Sequence, residues 1–203
     1  MNSEDKVNEA LRLLGEVLKQ RNLAYELVII GGGALLLKNL IKRPTLDIDA
    51  VARIDTGKWL PAKPLPEPLV SAVRDVANAL GLEQEPRDEK DWLNGGPSIL
   101  GKLLLPAGFA ERTEIRRYGP LTIRIASRQD LITLKLWAAT DTARSQRRAV
   151  DIGDLREIKP TVAELKTASR WCILKDGRTE IAVAEISKVL VELGSKSRDI
   201  IDE

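Results

Sequence analysis

No histidine occurs among the 203 residues of the chain. That removes Ser-His-Asp and Cys-His nucleophile schemes and every imidazole metal site. A single cysteine, Cys172, allows no internal disulfide and no cysteine-rich zinc site, so a reducing, cytoplasmic setting is expected. Aromatic residues make up only 3% of the chain, too few for a base-stacking platform. No apolar run approaches the roughly 18 residues of a membrane span, so no membrane partner is expected. The start, MNSEDKVNEALRLL, is charged and amphipathic and does not read as a signal peptide. Chemistry is left to carboxylates, Lys and Arg, hydroxyls and the backbone.

What is present suits a folded domain. Hydrophobic residues reach 43% and charged residues 31%, enough for a core and against a disordered chain. The length suggests one compact domain, or one with a small helical appendage. Thirty-two basic against 30 acidic residues give a formal +2, too mild to imply a nucleic-acid partner by itself. Basic residues cluster at 112–124 and at Arg144, Arg147 and Arg148. A solvated helix face is the simpler account of such clusters.

Along the chain, the pattern is mixed α/β followed by helices. Ser3 can cap a helix with Val7, Leu11, Leu14 and Leu18 at helical spacing and Glu4 and Asp5 in its first turn. Residues 27–30 read as a buried strand running into Gly31, Gly32 and Gly33, and residues 34–41 as a short helix. A turn at Arg43-Pro44-Thr45 precedes a strand over 46–51, with Asp47, Asp49 and Val51 on one face and Leu46, Ile48 and Ala50 on the other. Four prolines between 61 and 68 mark an irregular connection. Leu69, Val73, Val76 and Leu80 define a helix that Gly81 ends. Residues 83–108 read mostly as loop with a short helix, and 111–118 with 121–126 as a strand pair joined at Gly119-Pro120. Ser127 with Asp130, and Thr161 with Glu164, fit capping boxes for two further helices, and a last helix spans about 180–193. The expected organisation is an α/β core over 1–126 and a helical portion over 127–203 packed on it as a single structural unit.

The informative segment is 28–51, VIIGGGALLLKNLIKRPTLDIDAV. A strand delivers glycines, a helix follows, and a second strand carries two acids two residues apart. Glycines let backbone N–H groups approach phosphate oxygens, and a helix start favours negative charge. Two carboxylates on one strand face can hold Mg²⁺, a hard ion that prefers oxygen ligands and neutralises a transferring phosphoryl group. Taken singly, three glycines are most simply a tight turn and Asp-x-Asp two solvated residues. Their spacing on one strand–helix–strand unit is what argues for a site.

Gly32-Gly33, then Asp47-Ile48-Asp49 on a strand, resembles the signature of the polymerase-β-type nucleotidyltransferase superfamily. The wider context resembles the AbiEii-related bacterial nucleotidyltransferase-like proteins. The similar stretches are Gly31-Gly32-Gly33-Ala34, Arg43-Pro44-Thr45 with Asp47-Ile48-Asp49, Trp92-Leu93-Asn94, Asp130-Leu131 to Lys135-Leu136, Asp154-Leu155, and Pro160-Thr161 leading to Glu164-Leu165. Together they cover most of residues 25–172. The resemblance implies an α/β (α+β) nucleotidyltransferase fold, a small mixed sheet flanked by helices with a C-terminal helical portion. It implies that Gly32 and Gly33 contact a nucleoside triphosphate and that Asp47 and Asp49 bind Mg²⁺. Gly31 and Thr45 are candidates beside them, and Arg43 can reach a phosphate or equally serve as a cap or surface salt bridge. A third carboxylate usually completes such a site. Strand 121–126 offers Thr122 and Arg124 instead, leaving Glu114, Asp151 and Asp154 as alternatives.

Lys135 has its own argument. It lies inside the stripe of Leu131, Leu134 and Ala138, and a half-buried lysine requires a carboxylate or phosphate partner unless it snorkels to water. The matching lysine of AbiEii-like proteins is thought to serve nucleotide phosphates, so the resemblance implies that role here. Asp151 and Asp154, three apart, can share a helical face and either ligate metal or pair with Lys135 or Arg148. Trp92, Trp137 and Cys172 read as packing residues. The expected reaction is Mg²⁺-dependent transfer of a nucleoside monophosphate from an NTP to a hydroxyl of an RNA such as a tRNA, or of a protein. The resemblance adds a toxin role with a cognate antitoxin. The rival reading is an inactive member of the fold that binds nucleotide or protein.

Overall fold

The computed structural model describes residues 1, 3–82, 91–97, 105–141, 145–175, 177 and 180–201. The chain divides into two compact units, Met1–Ala126 and Ser127–Glu203. Arg144, and residues 83–90 and 98–104 of the stretch expected to be loop with a short helix, lie outside the described residues.

In the first unit, α1 (Glu4–Gln20) starts as its sequence predicts: Ser3 accepts a hydrogen bond from the Lys6 N–H, and Val7, Leu11, Leu14 and Leu18 are buried. Gly15 on this helix permits a close approach to the sheet, because a Cβ there would stand 2.1 Å from the Tyr118 carbonyl oxygen. β1 (Tyr25–Ile30) leads directly into α2 (Gly31–Leu37). β2 (Ile48–Asp55) returns antiparallel to β1, and β3 (Lys58–Pro61) folds back onto β2. After the proline-rich connection, α3 (Glu67–Leu80) ends at Gly81 in the left-handed region, as expected. β4 (Leu93–Gly95) lies parallel to β2, while β5 (Glu114–Tyr118) and β6 (Leu121–Ile125) form the expected hairpin, with β6 parallel to β1. The sheet order is β3-β2-β1-β6-β5, with β4 beside β2. This mixed sheet flanked by helices is the α+β architecture expected of a nucleotidyltransferase-like fold.

Local expectations at three elements need correction. The glycines are not a loop before the helix; they are its first turn, with Ile30 at the N-cap position. The helix also stops early, since Asn39 adopts φ 53 and the Leu40 N–H donates to the Leu35 carbonyl. That left-handed asparagine closes the end with the paired bonds of a Schellman motif. The second strand begins at Ile48, so Asp47 immediately precedes it and Leu46 is 83% exposed rather than on a strand face. Val51 was expected on the face of Asp49, but the register pairs Val28 with Ala52 and Ile29 with Ala50. Val51 is thus the extra residue of a bulge. Finally, β4 forms where loop was expected. Its three residues are too few to show a period in the sequence.

The second unit holds α4 (Arg128–Ala139), α5 (Ser145–Ile158), α6 (Val162–Lys175), α7 (Glu180–Glu192) and α8 (Arg198–Ile201). Ser127 accepts from the Asp130 N–H at 3.1 Å and donates to the Asp130 carboxylate at 2.5 Å. Thr161 and Glu164 complete a reciprocal box, each accepting the other's N–H, at 3.2 and 2.8 Å. Arg128 also bonds Glu164 at 2.7 Å and, with Thr161, holds its carboxyl below the ordinary range despite partial burial. Trp137 and Trp171 meet edge to face, with the Lys175 ammonium 3.3 Å from the Trp137 ring centre. Cys172 is buried, as expected of a core thiol. No helix among the described residues is long and apolar enough to cross a membrane.

Candidate active site

The site in the first unit is built where β1 ends and β2 begins. Antiparallel register sets Ile30, the last residue of β1, opposite Asp49. The next residue, Gly31, has φ 73, and a Cβ on it would stand 2.8 Å from Asp49 Oδ2. Both facts demand glycine: an L side chain is strained at that φ, and its first carbon would occupy the space of the carboxylate. Gly32 and Gly33 are equally confined. Their Cβ atoms would meet Thr45 Oγ1 at 2.7 Å and Ile48 Cγ1 at 2.8 Å. The glycine turn is therefore pressed against residues 43–49, and the Arg43 guanidinium lies 3.5 Å from the Gly32 Cβ position.

The segment that carries the acids is braced from both sides. Thr45 is buried; its hydroxyl donates to the Asp47 carbonyl at 3.1 Å, and its backbone exchanges hydrogen bonds with Met1. Arg43 donates to the Pro44 carbonyl at 2.9 Å. On the other side, β4 pairs Asn94 with Asp49, and the Gly96 N–H donates to the Ala50 carbonyl at 2.7 Å. Trp92 precedes this strand with its indole N–H bonded to the Val73 carbonyl, so it is an anchor onto α3 rather than a base stacker. Asn94 Nδ2 reaches Asp47 Oδ2 at 3.4 Å and the Asp91 carbonyl at 3.3 Å. Its Oδ1 is buried and has no hydrogen-bond partner. Such an orphaned acceptor costs about 1–3 kcal/mol, so this orientation of the amide is only weakly held.

Two observations thus fit the chain to a hard divalent ion such as Mg²⁺. Asp47 and Asp49 supply anionic oxygens, and the Asn94 amide, whose Nδ2 lies 3.4 Å from Asp47 Oδ2, is buried with its oxygen unpartnered. The glycine turn fits a triphosphate in a more general way. No side chain caps α2, so its first N–H groups have no partner from the helix or a cap.

Within the first unit, the remaining acidic candidate lies off this corner. Glu114 lies on β5, three strands from β2 and so about 14 Å away at the usual strand spacing. Lys38 at 2.5 Å and Arg116 at 2.8 Å engage it, and they hold its carboxyl below the ordinary range. Arg124 on β6 is ion-paired with Glu26 on β1. Among the described residues, no three Asp, Glu, His or Cys side chains gather where a metal could be held.

In the second unit, Lys135 of α4 lies between Asp151 and Asp154 of α5, at 2.5 and 2.7 Å. The Lys135 side chain is 12% exposed and that of Asp154 fully buried. The anion that a lysine within an apolar stripe requires is thus supplied by the protein itself. Arg148 pairs with Glu192 rather than with these aspartates. Sequence reasoning missed Asn94 as a functional group, because its place beside the acids comes from the pairing of β4 with β2.

Residues 7–59 match a family model described as a nucleotidyltransferase of unknown function (DUF6036). The match contains the glycine turn, Arg43, Thr45, Asp47 and Asp49, and supports the nucleotidyltransferase superfamily for this part of the chain. No curated protein and no solved structure matches the chain.

Proposed function

We propose that the chain is a Mg²⁺-dependent nucleotidyltransferase that moves a nucleoside monophosphate from an NTP to a hydroxyl, releasing pyrophosphate. The observation that carries this reading is the fit of the Gly31 turn around Asp49, which puts glycine backbone and carboxylate within one small space. Asp47 and Asp49 hold the ion, and the N–H groups of Gly32 and Gly33 receive phosphate oxygens. Arg43, beside Gly32, adds positive charge to the same side. A bound Mg²⁺ would supply charge neutralisation on the phosphates and orientation of the attacking oxygen.

The acceptor we infer is an RNA such as a tRNA, or a protein side chain, in the cytoplasm. In that setting the enzyme acts as the toxin of a toxin–antitoxin or phage-defence pair, with a cognate antitoxin as partner. Resemblance to AbiEii-type proteins supports this. The test is incubation of the protein with each NTP labelled at the α-phosphate, with total RNA and with total protein. Label transfer with pyrophosphate release, lost in Asp47→Asn, is the expected result.

One observation favours a second reading, a nucleotide- or protein-binding member of the fold without catalysis. No third carboxylate joins Asp47 and Asp49 among the described residues. Tight binding of Mg·NTP with no pyrophosphate release from any acceptor would select that reading.

A further inference from the structure

We propose that the side-chain amide oxygen of Asn94 is the third protein ligand of the cation held by Asp47 and Asp49. The inference rests on the reading of those aspartates as an ion-binding pair. It starts from β4, which sets Asn94 opposite Asp49 in parallel register on β2. The side chain then reaches the other aspartate, with Nδ2 at 3.4 Å from Asp47 Oδ2. Asn94 therefore touches the acid pair twice, once through the strand and once through its amide. Gly96 keeps this segment close, because a Cβ there would stand 3.0 Å from Asp49 Cβ.

The amide's present bonds are poor. Both Nδ2 contacts are long for N–H···O bonds, and Oδ1 is buried without a partner in a residue only 8% exposed. The two ends of a carboxamide have nearly the same size and shape. A half-turn about its last torsion exchanges them and brings the oxygen to the position 3.4 Å from Asp47 Oδ2 that Nδ2 now holds. Two oxygens facing each other repel unless a cation lies between them. Around an octahedral Mg²⁺ with bonds of about 2.1 Å, neighbouring oxygens stand roughly 3 Å apart. Closing a 3.4 Å separation to that value takes a shift of a few tenths of an ångström. The amide is thus a two-position group. Without the ion it donates to Asp47; with the ion it presents its oxygen. The site then carries two negative charges and one neutral oxygen.

Calorimetry and Mn²⁺ electron paramagnetic resonance on the full chain, with the metal alone and no nucleotide, test this. Asn94→Asp should tighten Mn²⁺ binding at least tenfold, because it adds an anionic oxygen where the neutral one stood. Asn94→Ala should weaken it several-fold, with circular dichroism and thermal midpoint confirming that each variant is folded. If Asn94→Ala binds like the wild type, or Asn94→Asp binds more weakly, Asn94 is no ligand. The acid pair then stands alone, provided Asp47→Asn still loses the ion. If the wild type binds no Mn²⁺ at millimolar concentration, both the ligand and the underlying ion site are refuted.

Discussion

Each unit of the molecule carries a pair of aspartates, and the two pairs differ in what faces them. Asp151 and Asp154 close on Lys135 at 2.5 and 2.7 Å, with all three side chains nearly or fully buried. Asp47 and Asp49 close on a glycine turn and on an amide with one oxygen unpartnered. The first arrangement supplies its own counter-charge, which makes it a structural pin between α4 and α5. The second holds a buried amide whose oxygen is unsatisfied, so that group is open to rearrangement when a ligand binds. The role of an acid pair is set by the groups around it. By spacing alone, both pairs were candidates for metal binding.

The largest effect should come from breaking the pin. Lys135→Met leaves two buried carboxylates without their cation, and removing one partner of a buried pair typically costs about 3–5 kcal/mol. Denaturant unfolding should show a loss of that order, and a variant that also replaces Asp151 and Asp154 by Leu should recover much of it. An unchanged stability for Lys135→Met would place the lysine's role outside the fold. A smaller loss is expected at the glycine turn. Gly31→Ala combines a left-handed φ, costing about 1–2 kcal/mol, with a carbon 2.8 Å from Asp49 Oδ2. Thermal unfolding should register that cost, and Mn²⁺ affinity should fall with it as Asp49 is displaced; stability lost with ion binding intact would make the turn a packing device only.

The smallest effect concerns a partly exposed pair. Arg128 and the Thr161 N–H hold the Glu164 carboxyl below its ordinary 4.5, so its contribution is present above that pH and fades as pH falls through the depressed folded value. Glu164→Gln should cost under about 1 kcal/mol at neutral pH. It should also flatten the acid limb of the stability curve, which unfolding midpoints across pH 3–7 would reveal. A parallel downward shift at every pH would assign Glu164 to packing instead.

Much of this was legible in the chain because the relevant physics is local. The three helix starts at Ser3, Ser127 and Thr161 follow from side chains that reach only three residues ahead, and each bond is made. The buried run of β1 and the stop at Gly81 are equally local. Lys135 could be marked as needing an anion from its place among Leu131 and Leu134. Which anion it has was not legible, because Asp151 and Asp154 reach it across a helix pair. The early start of α2 was hidden by glycine's poor helix propensity, which contacts with Thr45 and Ile48 override. Asn94 was invisible as a site residue for the same reason that β4 was: its meaning comes from pairing with β2, more than forty residues away.

The central claim, that the Asp47–Asp49 site takes Mg²⁺ and a nucleoside triphosphate, has one direct measurement. Calorimetry of the full chain with Mg²⁺ and a non-hydrolysable NTP should show saturable binding. The double variant Asp47→Asn, Asp49→Asn should abolish that binding while its circular dichroism stays that of the wild type. Equal binding by a folded double variant would contradict the account and leave the acid pair without its assigned role.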